Sequence, residues 1–358
     1  MQRVLGRVIG ALAVAAVLAA AALLTLGGSG AATAAAPPGP RLAVVAVAKR
    51  LAELRTVDLH GRQPLRLAGG GPRTKPYVDT FSPPSWSFDG AQVAFSGITG
   101  SRDGDDHEPI RSIFVVRADG SGMRPIRGTN GATFPVFSPD GQTVAFTRAL
   151  DREEPTKVGG KLRQEFHGSS IWLVDLKSGK QRQLTPWRDG VKYLASSFSP
   201  DGSTLLATHD DDRLLNEPEP VALQVDGSGS RRLFAEGSSP IYSPDGSEIV
   251  FNRGFTGESE TDGDLFVISA DGGQVRRLTN TPGRAELSVS WDPSGQRLVY
   301  SWVQAFGSAD EGLAFGVGLM QVNADGSCPQ KMTLKPRASA IAVAWQPGPG
   351  RGAGRIEC

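Results

Sequence analysis

Polar and apolar positions along this chain follow one phrase that returns five times between Ser85 and Gly295. An aromatic residue is followed by a small polar residue, Pro or Phe, a second small polar residue and Gly. The copies are Trp86-Ser-Phe-Asp-Gly90, Phe137-Ser-Pro-Asp-Gly141, Phe198-Ser-Pro-Asp-Gly202, Tyr242-Ser-Pro-Asp-Gly246 and Trp291-Asp-Pro-Ser-Gly295, with a weaker sixth at Trp345-Gln-Pro-Gly348. An apolar run comes after each of the five, as in Gln92-Val-Ala-Phe95 or Glu248-Ile-Val-Phe251. Pro presets φ and Gly accepts positive φ, so the phrase predicts a tight turn between two strands. A variable stretch follows, then a third strand such as Ile113-Phe-Val-Val116 or Leu265-Phe-Val-Ile268, a Gly turn, and a short fourth strand of the type Arg276-Arg-Leu-Thr279. Successive glycines of the phrase lie 51, 61, 44, 49 and 53 residues apart, a period that marks repeat architectures.

The two ends decide whether the array closes. Arg41 to Ala46, Glu53 to Val57 and Pro64 to Leu67 read as second, third and fourth strands with no first strand before them. Ala340 to Trp345 reads as a first strand with nothing usable after it. Together they make one blade from both termini, which closes the ring and leaves no open sheet edge. The expected fold is therefore an all-β, six-bladed β-propeller of four-stranded antiparallel blades.

The first 36 residues are of another kind. Arg3 and Arg7 lead an uncharged run from Val8 to Leu26, followed by small residues with an Ala-x-Ala site ending at Ala34. This predicts a secretory signal peptide over residues 1–36, cleaved near Ala34, and a propeller over 37–358. An uncleaved anchor is the alternative, because about 19 apolar residues can span a bilayer. Either way the ring is expected outside the cytoplasm. In that compartment the two cysteines, Cys328 and Cys358, read as a disulfide.

The whole chain has 38 basic and 37 acidic residues; without Arg3 and Arg7 the balance is 36 to 37. That near-neutrality argues against nucleic acid as a partner.

Phe-Ser-Pro-Asp-Gly, an apolar run, an Asp-Gly turn and Arg-x-Leu-Thr together resemble the repeat of TolB-type propellers. Similar repeats form the propeller of prolyl-oligopeptidase-type peptidases. The resemblance covers about residues 41 to 348 and implies the six-bladed fold without implying an activity. A serine hydrolase needs a G-x-S-x-G elbow, and the sequence has none. It also lacks HExxH, P-loop and dinucleotide fingerprints.

The stretches between second and third strands project from one face of the ring and are the expected home of binding residues. The candidates there are Asp105, Asp106, His107 and Glu108, then His167, then His209, Asp210, Asp211 and Asp212. Trp302 and Phe306, outside the aromatic register and in an expected loop, are candidate exposed contacts. Histidine with carboxylates suits zinc and clustered carboxylates suit calcium, but no calcium-loop pattern occurs, so no cofactor is expected, with a divalent cation held by the His107 and His209 clusters as the alternative. The aromatics of the phrase itself are expected to pack between blades. These observations favour a non-catalytic scaffold, a monomer that binds a protein or peptide in the cell envelope. A propeller enzyme using channel-mouth Asp, Glu and His is the alternative.

Overall fold

The computed structural model describes residues 39–48, 51–69, 76–80, 82–99, 110–149, 156–158, 161–163, 168–212, 217–254, 263–306, 314–336, 338–348 and 352–358. Among them every regular element is a β-strand. Blade 1 orders Ser339–Trp345, Arg41–Ala48, Leu51–Asp58 and Leu65–Gly69. Blade 2 has a broken first strand, Tyr77–Val78 and Ser85–Trp86, on Gln92–Thr99, Ile110–Arg117 and Arg124–Pro125. Blade 3 is Ala132–Phe137, Thr143–Ala149, Ser169–Asp175 and Gln181–Gln183. Blade 4 is Val191–Phe198, Thr204–Asp211, Glu219–Gln224 and Ser230–Arg232. Blade 5 is Ser238–Tyr242, Glu248–Arg253, Asp264–Ser269 and Arg276–Arg277. Blade 6 is Ala285–Trp291, Arg297–Phe306, Ala314–Asn323 and Gln330–Met332. The ring closes as the ends predict: the C-terminal strand pairs antiparallel with the N-terminal one, Leu42 opposite Trp345 and Val45 opposite Ala342.

Six apolar clusters fill the seams between blades. Trp86, Phe137, Phe198, Trp291 and Trp345 are buried and Tyr242 is half-buried, each in the cluster beside its own blade. Burying one such side chain stabilises the ring by roughly 1.5–3 kcal/mol.

The repeated turn explains its own composition. In blade 2 Ser87 Oγ donates to Asp89 Oδ1 at 2.6 Å and accepts from Gln92 N at 2.9 Å, while Asp89 Oδ1 also accepts from Ala91 N. The same hydroxyl–carboxylate pair recurs at Ser138 and Asp140, Ser199 and Asp201, and Ser243 and Asp245. Gly90 sits at φ 68° with the Pro347 carbonyl 2.7 Å from where a Cβ would stand, so both conformation and space require glycine.

Blade 6 inverts the pair. Asp292 stands where the other turns have Ser, and Ser294 stands where they have Asp. Asp292 Oδ1 accepts from Gln296 N and Arg297 N, which frees Oδ2 to take Ser294 Oγ and also Ala353 N of the C-terminal tail. A serine at 292 has no second oxygen to offer that amide. Farther along, Ile356 exchanges two backbone bonds with the Asn323 side chain, and Cys358 is disulfide-bonded to Cys328.

The Thr of Arg-x-Leu-Thr is a cap for the third strand. Thr185 Oγ1 accepts from Ile171 N and Thr279 Oγ1 from Leu265 N; in blade 2, where the sequence is Arg124-Pro-Ile-Arg-Gly-Thr129, Thr129 Oγ1 does the same for Ile113 N. Between blades, a polar side chain at one position of the second strand reaches the neighbouring first strand. Thr147 accepts from Ala195 N, Thr208 from Ser239 N, Asn252 donates to the Glu286 and Leu287 carbonyls, and Ser301 donates to the Ile341 carbonyl. Blade 1 has Val45 at that position instead, inside the apolar cluster shared with blade 2.

Candidate functional site

First strands from all six blades surround an axial channel of about 470 Å³. The residue preceding each aromatic lies on its wall: Ser85, Val136, Ser197, Ile241, Ser290 and Ala344, hydroxyl and aliphatic in alternation. The three serines are not idle hydroxyls. Ser85 Oγ accepts from Phe137 N at 3.0 Å, Ser197 Oγ from Tyr242 N at 3.4 Å and Ser290 Oγ from Trp345 N at 2.9 Å, so each ties its blade to the next.

The apolar part of the wall is Phe134, Pro135, Leu194 and Ile341, joined by Pro139, Pro200, Pro244 and Pro347 from the repeated turns, and it is interspersed with hydroxyls such as Ser138, Ser196 and Ser239. Phe88 fills the proline position in blade 2, lines the channel, and is 58 % exposed, the largest exposure of any large apolar side chain among the described residues. Phe134 carries φ 52°, a conformation uncommon for a bulky residue, and its amide donates to Ser82 Oγ at 2.8 Å. The wall therefore holds a strained residue in place by a bond to the adjacent blade, as binding walls often do.

Next in the chain after Phe88, Pro139, Pro200 and Pro244 come Asp89, Asp140, Asp201 and Asp245. The Ser87, Ser199 and Ser243 hydroxyls, reinforced by turn amides, hold Asp89, Asp201 and Asp245 below the usual carboxylate range. Among the described residues, the ionisable side chains on the channel wall are Tyr242 and Glu286, and the Glu286 carboxyl turns away into the blade 5–6 seam, where it meets Thr279, Thr281 and Leu265 N. Such a lining can grip an apolar or extended segment.

No family model matches the chain. The chain is 28% identical over 145 residues to the uncharacterized peptidase YuxL of Bacillus subtilis, covering 34% of this chain and 21% of that protein. It is 29% identical over 143 residues to the Tol-Pal system protein TolB of Anaeromyxobacter dehalogenans, covering 38% and 31% respectively. The crystal structure of TolB from Acinetobacter baumannii superposes with a TM-score of 0.62 at 20% identity, over 86% of this chain and 67% of that one. The ring is a TolB-like six-bladed propeller. The curated relatives are matched over about a fifth and a third of their own length, and at these identities the likeness concerns the fold.

The TolB-like ring places the sequence candidates unevenly. Asp105, Asp106, His107, Glu108 and His167 lie outside the described residues. His209, Asp210 and Asp211 belong to the second strand of blade 4, and Asp212 follows it directly; they are not a free loop. His209 packs on the Tyr193 ring at 4.8 Å between centroids and lies 3.3 Å from Glu219 Oε1. Lys192 Nζ is 2.7 Å from Asp212 and 3.9 Å from Asp210. Among the described residues no group of three or more His, Cys, Asp or Glu is placed to hold a metal ion.

Trp302 corrects an expectation. The second strand of blade 6 runs through Phe306, longer than its counterparts, so both aromatics lie in the sheet. Trp302 pairs with Glu286 and Gly318 and is 8 % exposed, with the Arg284 guanidinium 4.5 Å above its ring. It is a packing residue. Phe306 ends the strand opposite Ala314. The residues the sequence alone did not single out are Phe88, Phe134, Asn252 and Glu286. Only Phe88 carried a readable signal, as the break in a proline that the other copies keep.

Proposed function

We propose that this propeller is an exported, non-catalytic scaffold that receives a segment of a partner protein in its axial channel. The observation that carries the proposal is the wall itself: proline and phenylalanine around a bore of about 470 Å³, with Phe88 standing exposed at the rim. An exposed aromatic at the edge of a concave apolar site is the kind of anchor that concentrates binding energy. Export is supported by Arg3 and Arg7 ahead of the apolar run to Leu26, and by the Cys328–Cys358 disulfide, which suits an oxidising compartment. The likeness to TolB, a Tol-Pal system protein, supports a protein partner in the cell envelope.

A photo-crosslinking amino acid at position 88, introduced into the full chain in living cells, tests this. The expected result is a discrete protein adduct that excess unlabelled wild-type chain suppresses. A purified chain that hydrolyses or cleaves members of a peptide or sugar library, with no adduct at position 88, overturns it in favour of a propeller enzyme.

A further inference from the structure

The seam between blades 5 and 6 contains two buried carboxyls that share their donors. Glu286, at the start of the first strand of blade 6, is fully buried, and Asp264, at the start of the third strand of blade 5, is 7 % exposed. Glu286 Oε2 accepts from Leu265 N at 2.9 Å and from Thr279 Oγ1 at 2.5 Å, and Oε1 lies 2.9 Å from Thr281 Oγ1. Asp264 Oδ1 accepts from Thr281 N at 2.9 Å and lies 3.4 Å from Thr279 Oγ1 and 3.3 Å from Thr281 Oγ1, while Oδ2 pairs with Arg277. Each threonine hydroxyl has one proton to donate. With both carboxyls ionised, each oxygen still has a donor, but two negative charges are buried side by side and the cation that bonds into the cluster, Arg277, sits on Asp264. With a proton on Glu286 Oε1, that proton goes to Thr281 Oγ1, the Thr281 hydroxyl turns to Asp264, and the cluster keeps its hydrogen bonds with one buried charge instead of two.

We propose that the blade 5–6 seam is a proton-operated joint, shut while Glu286 carries a proton and loosened when Glu286 and Asp264 are both ionised. The charged and titratable groups facing Glu286 from the neighbouring elements are Asp264, Arg277, Arg284 and Tyr300. Burial, opposed by the Thr279 and Thr281 hydroxyls and assisted by the Asp264 charge, pushes the Glu286 carboxyl up to about 7. A modest pH change in the surroundings therefore operates the joint. Its mechanical output is defined: Asn252 Nδ2 grips the Glu286 and Leu287 carbonyls at 2.6 and 2.8 Å, and Asn252, Glu286 and Leu287 all line the channel. Loosening the seam moves one wall of the bore. The joint itself stands on the seam; only its effect on a bound segment rests on the function proposed above.

The test is amide hydrogen exchange on the ligand-free chain between pH 5.5 and 8, corrected for the intrinsic rate. Leu265 N is the reporter, because it donates to Glu286. Ile171 N is the control, because its side-chain partner is the Thr185 hydroxyl. Leu265 protection is expected to fall on the order of tenfold across that range while Ile171 does not follow. Glu286→Gln is expected to remove the dependence. Leu265 and Ile171 sharing one curve, or an unchanged curve in E286Q, overturns the joint. Should E286Q fail to fold, Asp264→Asn removes the neighbouring buried charge and is expected to lower the Glu286 titration midpoint, read by carboxyl carbon NMR. A wild-type midpoint in the ordinary carboxylate range, or one that D264N leaves in place, overturns the proposal equally. Because no partner is present, these outcomes are independent of whether the channel binds one.

Discussion

The seam between blades 1 and 2 and the seam between blades 5 and 6 solve the same packing problem with opposite chemistry. In the first, Val45 occupies the stitch position and packs with Ala43, Leu54, Trp86, Val93 and Phe95. Polar links across it include Trp86 Nε1 to the Ala344 carbonyl at 3.2 Å and Gln346 Nε2 to the Gly90 carbonyl at 2.7 Å. In the second, Asn252 fills the same position and works beside Glu286, Asp264, Thr279 and Thr281. An apolar seam tolerates small displacements and is indifferent to protons, because its stabilisation scales with area. A hydrogen-bonded seam is exacting and conditional, since one unserved buried donor or acceptor costs about 1–3 kcal/mol. One fold position thus accepts either a permanent joint or a conditional one.

The largest expected effect comes from breaking the apolar seam. Trp86→Ala should cost roughly 3–5 kcal/mol at every pH, read as a lowered denaturation midpoint with an unchanged slope. A pH-dependent loss would show that this seam also carries a buried charge. Next is the conditional seam. The folded carboxyl of Glu286 titrates at about 7 against an ordinary 4.5, so the fold binds the extra proton. Stability from that proton is present at low pH and is lost as pH rises from 4.5 through 7, by about 3 kcal/mol in all. Wild type should lose most of that amount, about 2.5 kcal/mol, relative to Glu286→Gln in denaturant titrations at pH 5 and pH 8; parallel values would remove the contrast between the seams. A smaller effect is expected from Val45→Thr, which puts a hydroxyl into the apolar seam and should cost about 1–3 kcal/mol. Stabilisation by that change would mean a partner is already waiting there. The smallest is Phe88→Ala, within about 0.5 kcal/mol of wild type because the side chain is exposed, while adduct formation or partner binding at the channel falls sharply.

Repetition made the fold legible. Five copies of the turn phrase and the complementary ends specify six blades before any contact is known, and the packing aromatics declare themselves by their register. Features that occur once have no such voice. The His209-Asp-Asp-Asp212 run reads as a loop because it is polar, yet the blade 4 strand continues through Asp211 and its side chains find Tyr193, Glu219 and Lys192. Trp302 reads as exposed because the other second strands are shorter than the ten residues of Arg297–Phe306. Glu286 shares its cluster with Asp264, 22 positions earlier, and with Asn252, which binds its carbonyl from 34 positions away. Only folding brings those groups together. Phe88 was visible as a departure from Pro, although nothing in the phrase says that the third position faces the bore.

The inverted Asp292–Ser294 turn has a consequence for how the ring bears tension. The closing strands run antiparallel with Leu42 beside Trp345, so a pull on the two chain ends would peel them apart one hydrogen bond at a time. The tail beyond Trp345 is riveted to blade 6 by Asp292, Asn323 and the Cys358–Cys328 bond. A pull at the carboxyl end is therefore delivered to the body of blade 6 and bypasses the zipper. The weakest direction of the closure is shielded by a tail that the exchange of serine and aspartate, the Asn323 side chain and the disulfide together hold to blade 6.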